Sequence, residues 1–156
     1  MLKQVDGKAS ELKDAEPAQR CAEHLQASLH HHKAQDWRSE REELDNALSY
    51  VEFAADLLLR RATASMKMGD LYECVADSGR AIKLESDSIP ALELRGKGYY
   101  MLAEHEMAMN HWRQALKFDP EHKSVKEQYR NLKKIMKRAD KGKSLFESGS
   151  FADAVR

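Results

Sequence analysis

Residues 94–100 read LRGKGYY, with Gly96 and Gly98 on either side of Lys97 and Arg95 just ahead. Closely spaced glycines beside a lysine are the raw material of a phosphate cradle. There, backbone N–H groups at a helix N-terminus hold the anion. A cradle of that kind needs a strand before it, a helix after it, a further glycine and a Gly-Lys-Ser/Thr ending. Segment 88–105 supplies no strand signal, no third glycine and no such ending.

Histidines offer a second chemistry. His30, His31 and His32 are consecutive, and His24 lies seven residues before His31 on the same helical face. Neutral imidazoles bind zinc. Neighbouring residues on a helix point about 100° apart, however, so three in a row cannot converge on one ion. We read them as exposed or groove-lining and expect no metal. The two cysteines, Cys21 and Cys74, have neither ligand spacing nor the numbers for a disulfide framework and read as buried thiols. No Asp, Glu or His pairs with a nucleophile on a plausible loop. We therefore expect no enzyme activity, no catalytic residues and no cofactor.

The third feature is charge. The chain holds 26 basic and 26 acidic residues, so it has no global attraction to nucleic acid or anionic membrane. Locally, 113–143 carries 11 Lys or Arg against four acids. The preferred reading is the solvated outer face of a long helix, with Val125, Tyr129 and Leu132 beneath it. The alternative is an RNA-binding helical-repeat module using that segment. No stretch approaches the ~20 apolar residues of a membrane span, and the start, MLKQVDGKAS, lacks the apolar core of a signal peptide.

The glycines make sense within a helix. Pro90 sits at a first-turn position, and Leu92, Gly96, Tyr99 and Leu102 follow at intervals of four, three and three. A glycine inside a helix costs ~1 kcal/mol against alanine. Close approach of a second helix would justify it, and Ala108, Trp112 and Ala115 provide that helix before Pro120. The positions Leu92, Gly96, Tyr99, Ala108, Trp112, Ala115 and Pro120 match every interval of the tetratricopeptide pattern, with Arg95 where leucine is preferred. Stepping back by 34 gives Leu58, Ala62, Cys74 and Ala81, with Ser65 and Ser78 in the aromatic slots. That repeat should pack less well. One step further, Trp37, Leu44 and Ala47 follow a looser first helix at 22–33, with Ser28 in the small slot and His31 in the aromatic one.

The fold expected is all-α, a right-handed superhelix of antiparallel helix pairs. It comprises a lead-in (1–16), a degenerate repeat (17–54), two repeats (55–88 and 89–122), then an extended helix and the start of a further repeat (123–156). Gly142, Leu145, Gly149, Phe151 and Ala154 fit that last hairpin, and the pattern reads as a piece of a longer array. First helices line the concave face. Partner contacts are expected at Leu59, Thr63, Met66 and Lys67, then at Glu93, Lys97, Tyr100 and Met101, where methionines adapt to varied side chains.

Segment 98–154 resembles the ER-resident J-domain co-chaperones with nine tetratricopeptide repeats. The resemblance rests on Asp119 to Lys123, Tyr129 to Lys134 and Gly149 to Ala154, and is weak before Leu58. It implies a scaffold that binds unfolded or extended protein segments and cooperates with Hsp70 in the unfolded-protein response. It also implies contact with stress kinases and a place in the ER lumen. No His-Pro-Asp motif occurs, so any Hsp70 stimulation would need a J-domain beyond this segment. Tetratricopeptide proteins that grip acidic chaperone tails use a clamp of Lys, Asn and Arg. Its positions correspond here to Leu25, Leu29, Arg60, Pro90 and Leu94, so no grip on such tails is expected.

Overall fold

The computed structural model describes residues 5–51 and 53–149, with side chains from Glu16 onward. Among them are seven helices and no strand: α1 (Val5–Lys33), α2 (Trp37–Tyr50), α3 (Ala55–Met68), α4 (Leu71–Leu84), α5 (Ile89–Met101), α6 (His105–Phe118) and α7 (Lys123–Glu147). They pack in sequence as antiparallel pairs α1/α2, α3/α4 and α5/α6, with α7 against α6.

The 34-residue period is written into the backbone. Gln35, Gly69 and Ala103 stand one period apart, and all three adopt positive φ (57°, 86° and 62°). Each reverses the chain between the helices of a pair. Only Gly69 takes this conformation without a steric penalty. Each pair then ends in an extended residue, Val51, Glu85 or Asp119, again one period apart. The turns hold even where glycine is replaced, because the packing on either side fixes both helices.

The repeat positions form the core. Ala62, Cys74, Ala81, Leu92, Ala108 and Ala115 are fully buried, Leu58 and Trp112 nearly so. Tyr99 is half-buried and Pro120 exposed. Small residues here let two helices approach. Gly96 is the tightest case. A Cβ added there would lie 2.5 Å from Cδ1 and 2.8 Å from Cε2 of Trp112. The Trp112 indole N–H donates to the Glu93 carbonyl at 3.2 Å, which fixes the ring over the glycine.

Within the lead-in expected at 1–16, α1 begins at Val5 and runs through Pro17 to Lys33, while residues 1–4 lie outside the described residues. At the other end α7 continues through Gly142, and Phe151 and Ala154 of the last hairpin lie outside the described residues.

Candidate functional site

The face expected to line the groove is that of the first helices of each pair. Besides its sequential neighbours, α3 touches α5 directly, which brings successive first helices side by side. Because side chains one period apart occupy the same slot, the exposed positions of α3 and α5 form two parallel rows.

The predicted contact residues separate into two groups. Tyr100 and Met101 are exposed (44% and 54%), and Met66 and Leu59 are half-buried. Tyr100 is steadied by tilted ring contacts with Trp112 and His105 at about 6 Å between centroids. Lys67 lies over the Trp37 ring at 5.8 Å, joining the first and second repeats. These side chains present apolar surface with a cation beside it. Leu29 of α1, half exposed, extends the apolar surface to the first repeat.

The remaining polar positions are already engaged. Thr63 donates its hydroxyl to the Leu59 carbonyl at 2.8 Å. Glu93 accepts from Lys97 (2.8 Å), from the Ser124 hydroxyl (2.6 Å) and from Gln128 (2.9 Å). Burial pushes the Glu93 carboxyl up, but these donors outweigh it and hold the group below the ordinary carboxylate range. Glu93 therefore ties α5 to α7, and Lys97 neutralises it. The bare sequence gives no sign of this, because Ser124 and Gln128 lie 31 and 35 residues away.

Two buried carboxylates escaped sequence reasoning. Asp77 is 1% exposed and takes a two-pronged bond from Arg61, at 2.6 and 2.7 Å, with Arg80 at 3.2 Å. The Asp77 bonds hold the Arg61 guanidinium protonated, above its ordinary range, against the cost of its burial. Glu40, also 1% exposed, faces His32 Nδ1 at 3.0 Å and Arg60 at 3.4 Å. A signal for Glu40 existed, since it stands one period before Cys74 and two before Ala108, in a slot otherwise small and apolar. Ser78 is satisfied by the Cys74 carbonyl at 2.6 Å, while the buried Ser65 hydroxyl has no hydrogen-bond partner among the described residues.

Arg95 occupies the same slot as Arg61, but the slot facing it holds His111 in place of Asp77. Its guanidinium lies over the Tyr99 ring at 5.6 Å. Burial lowers the His111 pKa, a bond to the Met107 carbonyl opposes this, and Arg95 adds to the lowering. Three of the other histidines are parted among different acids: His24 with Glu43 at 2.7 Å, His31 with Asp36 at 3.5 Å and His32 with Glu40. Both cysteines are buried, and burial raises the Cys74 thiol to about 11. At the clamp positions, Leu29 and Pro90 are exposed, Leu25 and Leu94 half-buried, and Arg60 is turned to Ser28 and Glu40.

No protein-family model matches the chain. It is 33% identical to the DnaJ protein P58IPK homolog A of Oryza sativa subsp. japonica over 107 residues, 64% of this chain and 22% of that one. It is 31% identical to the DnaJ homolog subfamily C member 3 of Mus musculus over 112 residues, 72% of this chain and 22% of that one. The chain thus spans roughly a fifth of the length of these relatives. The crystal structure of the P58(IPK) TPR domain superimposes with a TM-score of 0.82 at 26% identity, covering 97% of this chain and 42% of that one.

Proposed function

We propose, for a chain that is a tetratricopeptide-repeat region of the DnaJ homolog subfamily C member 3 family, that its inner groove holds extended, partly apolar segments of unfolded proteins. The coarse role is that of a co-chaperone's protein-interaction module. The observation that carries the finer reading is the row of exposed Leu29, Tyr100 and Met101 with half-buried Met66 on successive first helices. Apolar area of this kind drives association without demanding one sequence, and methionine side chains repack around different partners. Acid groups are nearly silent there, since Glu93 is consumed by Lys97, Ser124 and Gln128. The groove therefore favours apolar and neutral side chains over a defined charge pattern.

In this reading the segment delivers clients to Hsp70 through a J-domain elsewhere in the protein, in the ER lumen during the unfolded-protein response. Stress kinases are further candidate partners on the same grounds of family likeness. The test is light scattering of a denatured client diluted into buffer with the protein. Suppression of aggregation should fall sharply for Met66→Ser/Tyr100→Ser/Met101→Ser at unchanged helicity. Undiminished suppression by that variant would remove the groove as the client site.

A further inference from the structure

The chain is neutral overall but not locally. Helix α7 holds nine Lys or Arg against three acids, a net of +6, so the rest of the chain carries −6. Elsewhere Arg20, Arg41, Arg60, Arg61, Arg80 and Lys97 are each held by a carboxylate, and the cations without an acid partner among the described residues, such as Lys33, Lys83 and Lys117, are scattered over several helices. On α7, among the described residues, only Lys126 and Lys143 find an acid, Glu121 and Glu147. Arg130, Lys133, Lys134, Lys137, Arg138 and Lys141 are exposed and have no acid partner among the described residues.

Their arrangement is ordered. Lys123, Lys126, Arg130, Lys134, Lys137 and Lys141 follow one another at intervals of 3, 4, 4, 3 and 4. That spacing puts six cations along one face, over ~27 Å at 1.5 Å per residue. The face is turned away from the core, because Val125 and Leu132 are buried and Tyr129 and Met136 pack on the core from the other side. Glu121 holds Lys126, and Glu127 stands beside Lys123 and Arg130, so the uncompensated charge lies from Arg130 to Lys141, where four cations in line repel one another.

We infer that this outer stripe of α7 is a second docking surface, distinct from the inner groove, whose occupant is an acidic helical protein segment. Charge complementarity sets the sign, and the period sets the form. An acidic helix with carboxylates at the same 3- and 4-residue intervals meets the cations in register, whereas an extended strand repeats at ~6.6 Å and drifts out of step. Nucleic acid fits less well. Five of the six cations are lysines, point charges without the fork that grips phosphate, and no aromatic ring stands among them for a base to stack on.

The test uses the 156-residue chain and fluorescence anisotropy at about 0.15 M salt, where the screening length is ~8 Å. The probe is an alanine-rich helical peptide with six glutamates at those intervals. A second peptide has the same composition with the glutamates spread around the helix, and a third probe is oligouridylate of about the same length. Arg130→Gln/Lys134→Gln/Lys137→Gln should weaken the patterned peptide about tenfold, summed over three exposed pairs. Lys33→Gln/Lys83→Gln/Lys117→Gln, with the same net charge, should leave binding unchanged. Equal binding of both peptides, equal loss in both variants, no binding of the patterned peptide, or tighter binding of oligouridylate would each overturn the proposal.

Discussion

Replacing Gly96 with alanine should destabilise the protein, although alanine is the better helix former. Propensity alone favours the variant by ~1 kcal/mol. The new Cβ would sit 2.5 Å from Cδ1 and 2.8 Å from Cε2 of Trp112. The indole is a rigid ring, 2% exposed, within the buried cluster that also holds Leu92, Val125 and Leu132, so it cannot swing aside freely. Forcing such a contact open costs ~1–3 kcal/mol. If the ring moves, its N–H also leaves the Glu93 carbonyl, a further ~0.5–1.5 kcal/mol. The net is a loss of roughly 0.5–3.5 kcal/mol, with leucine at the upper end or beyond. In a thermal melt that is a drop of a few degrees up to about 10 °C. Tryptophan emission should shift to the red as Trp112 is displaced. Gly79 is the internal control. A Cβ there would meet Cζ and Nη1 of Arg95 at 2.8 and 2.9 Å, the far end of a flexible side chain. Gly79→Ala should keep its propensity gain and melt at or slightly above the parent. An unchanged or higher melting temperature for Gly96→Ala would refute the packing argument, as would an equal loss for Gly79→Ala.

Asp77→Ala should cost about 3 kcal/mol in urea unfolding, because it leaves Arg61 largely buried without its main partner. The double change Arg61→Leu/Asp77→Leu should recover most of that loss. Acidification should weaken the fold in two stages. His111 has its pKa lowered below 6.5 by burial, so its contribution is full above 6.5 and declines as pH falls through the lower folded value. Glu93, held below 4.5, adds a second loss at more acidic pH, as its folded value is crossed. In urea midpoints followed from about pH 7 to pH 4 and below, His111→Gln should flatten the first stage and Glu93→Gln the second. A peptide ending in Glu-Glu-Val-Asp should show no micromolar binding by calorimetry, since Leu25, Leu29, Pro90 and Leu94 offer its carboxylates no donors and Arg60 already serves Ser28 and Glu40. Micromolar binding abolished by capping the peptide's carboxylate would defeat that reading.

The sequence by itself determined the repeat: its period, the paired helices, the small and large slots of the core, and the proline and glycine that mark its turns. These depend on intervals of three, four and 34 along one chain, so periodicity reports them directly. The same periodicity puts Met66 and Tyr100 in one slot of successive first helices, with Met101 beside Tyr100. What only the tertiary structure decided is which polar groups became internal. The chain has 26 acids, and nothing local distinguishes Asp77 or Glu93 from the others. Asp77 is buried because Arg61 reaches it from the facing helix, and Glu93 is occupied because Ser124 and Gln128 approach it from α7. Gly69 can take the left-handed turn by its own nature, whereas the left-handed conformation of Gln35 and Ala103 is imposed by the helices that they join. A residue's slot is fixed by its own neighbours in sequence, whereas its electrostatic partner is fixed by a surface that exists only after the helices have packed.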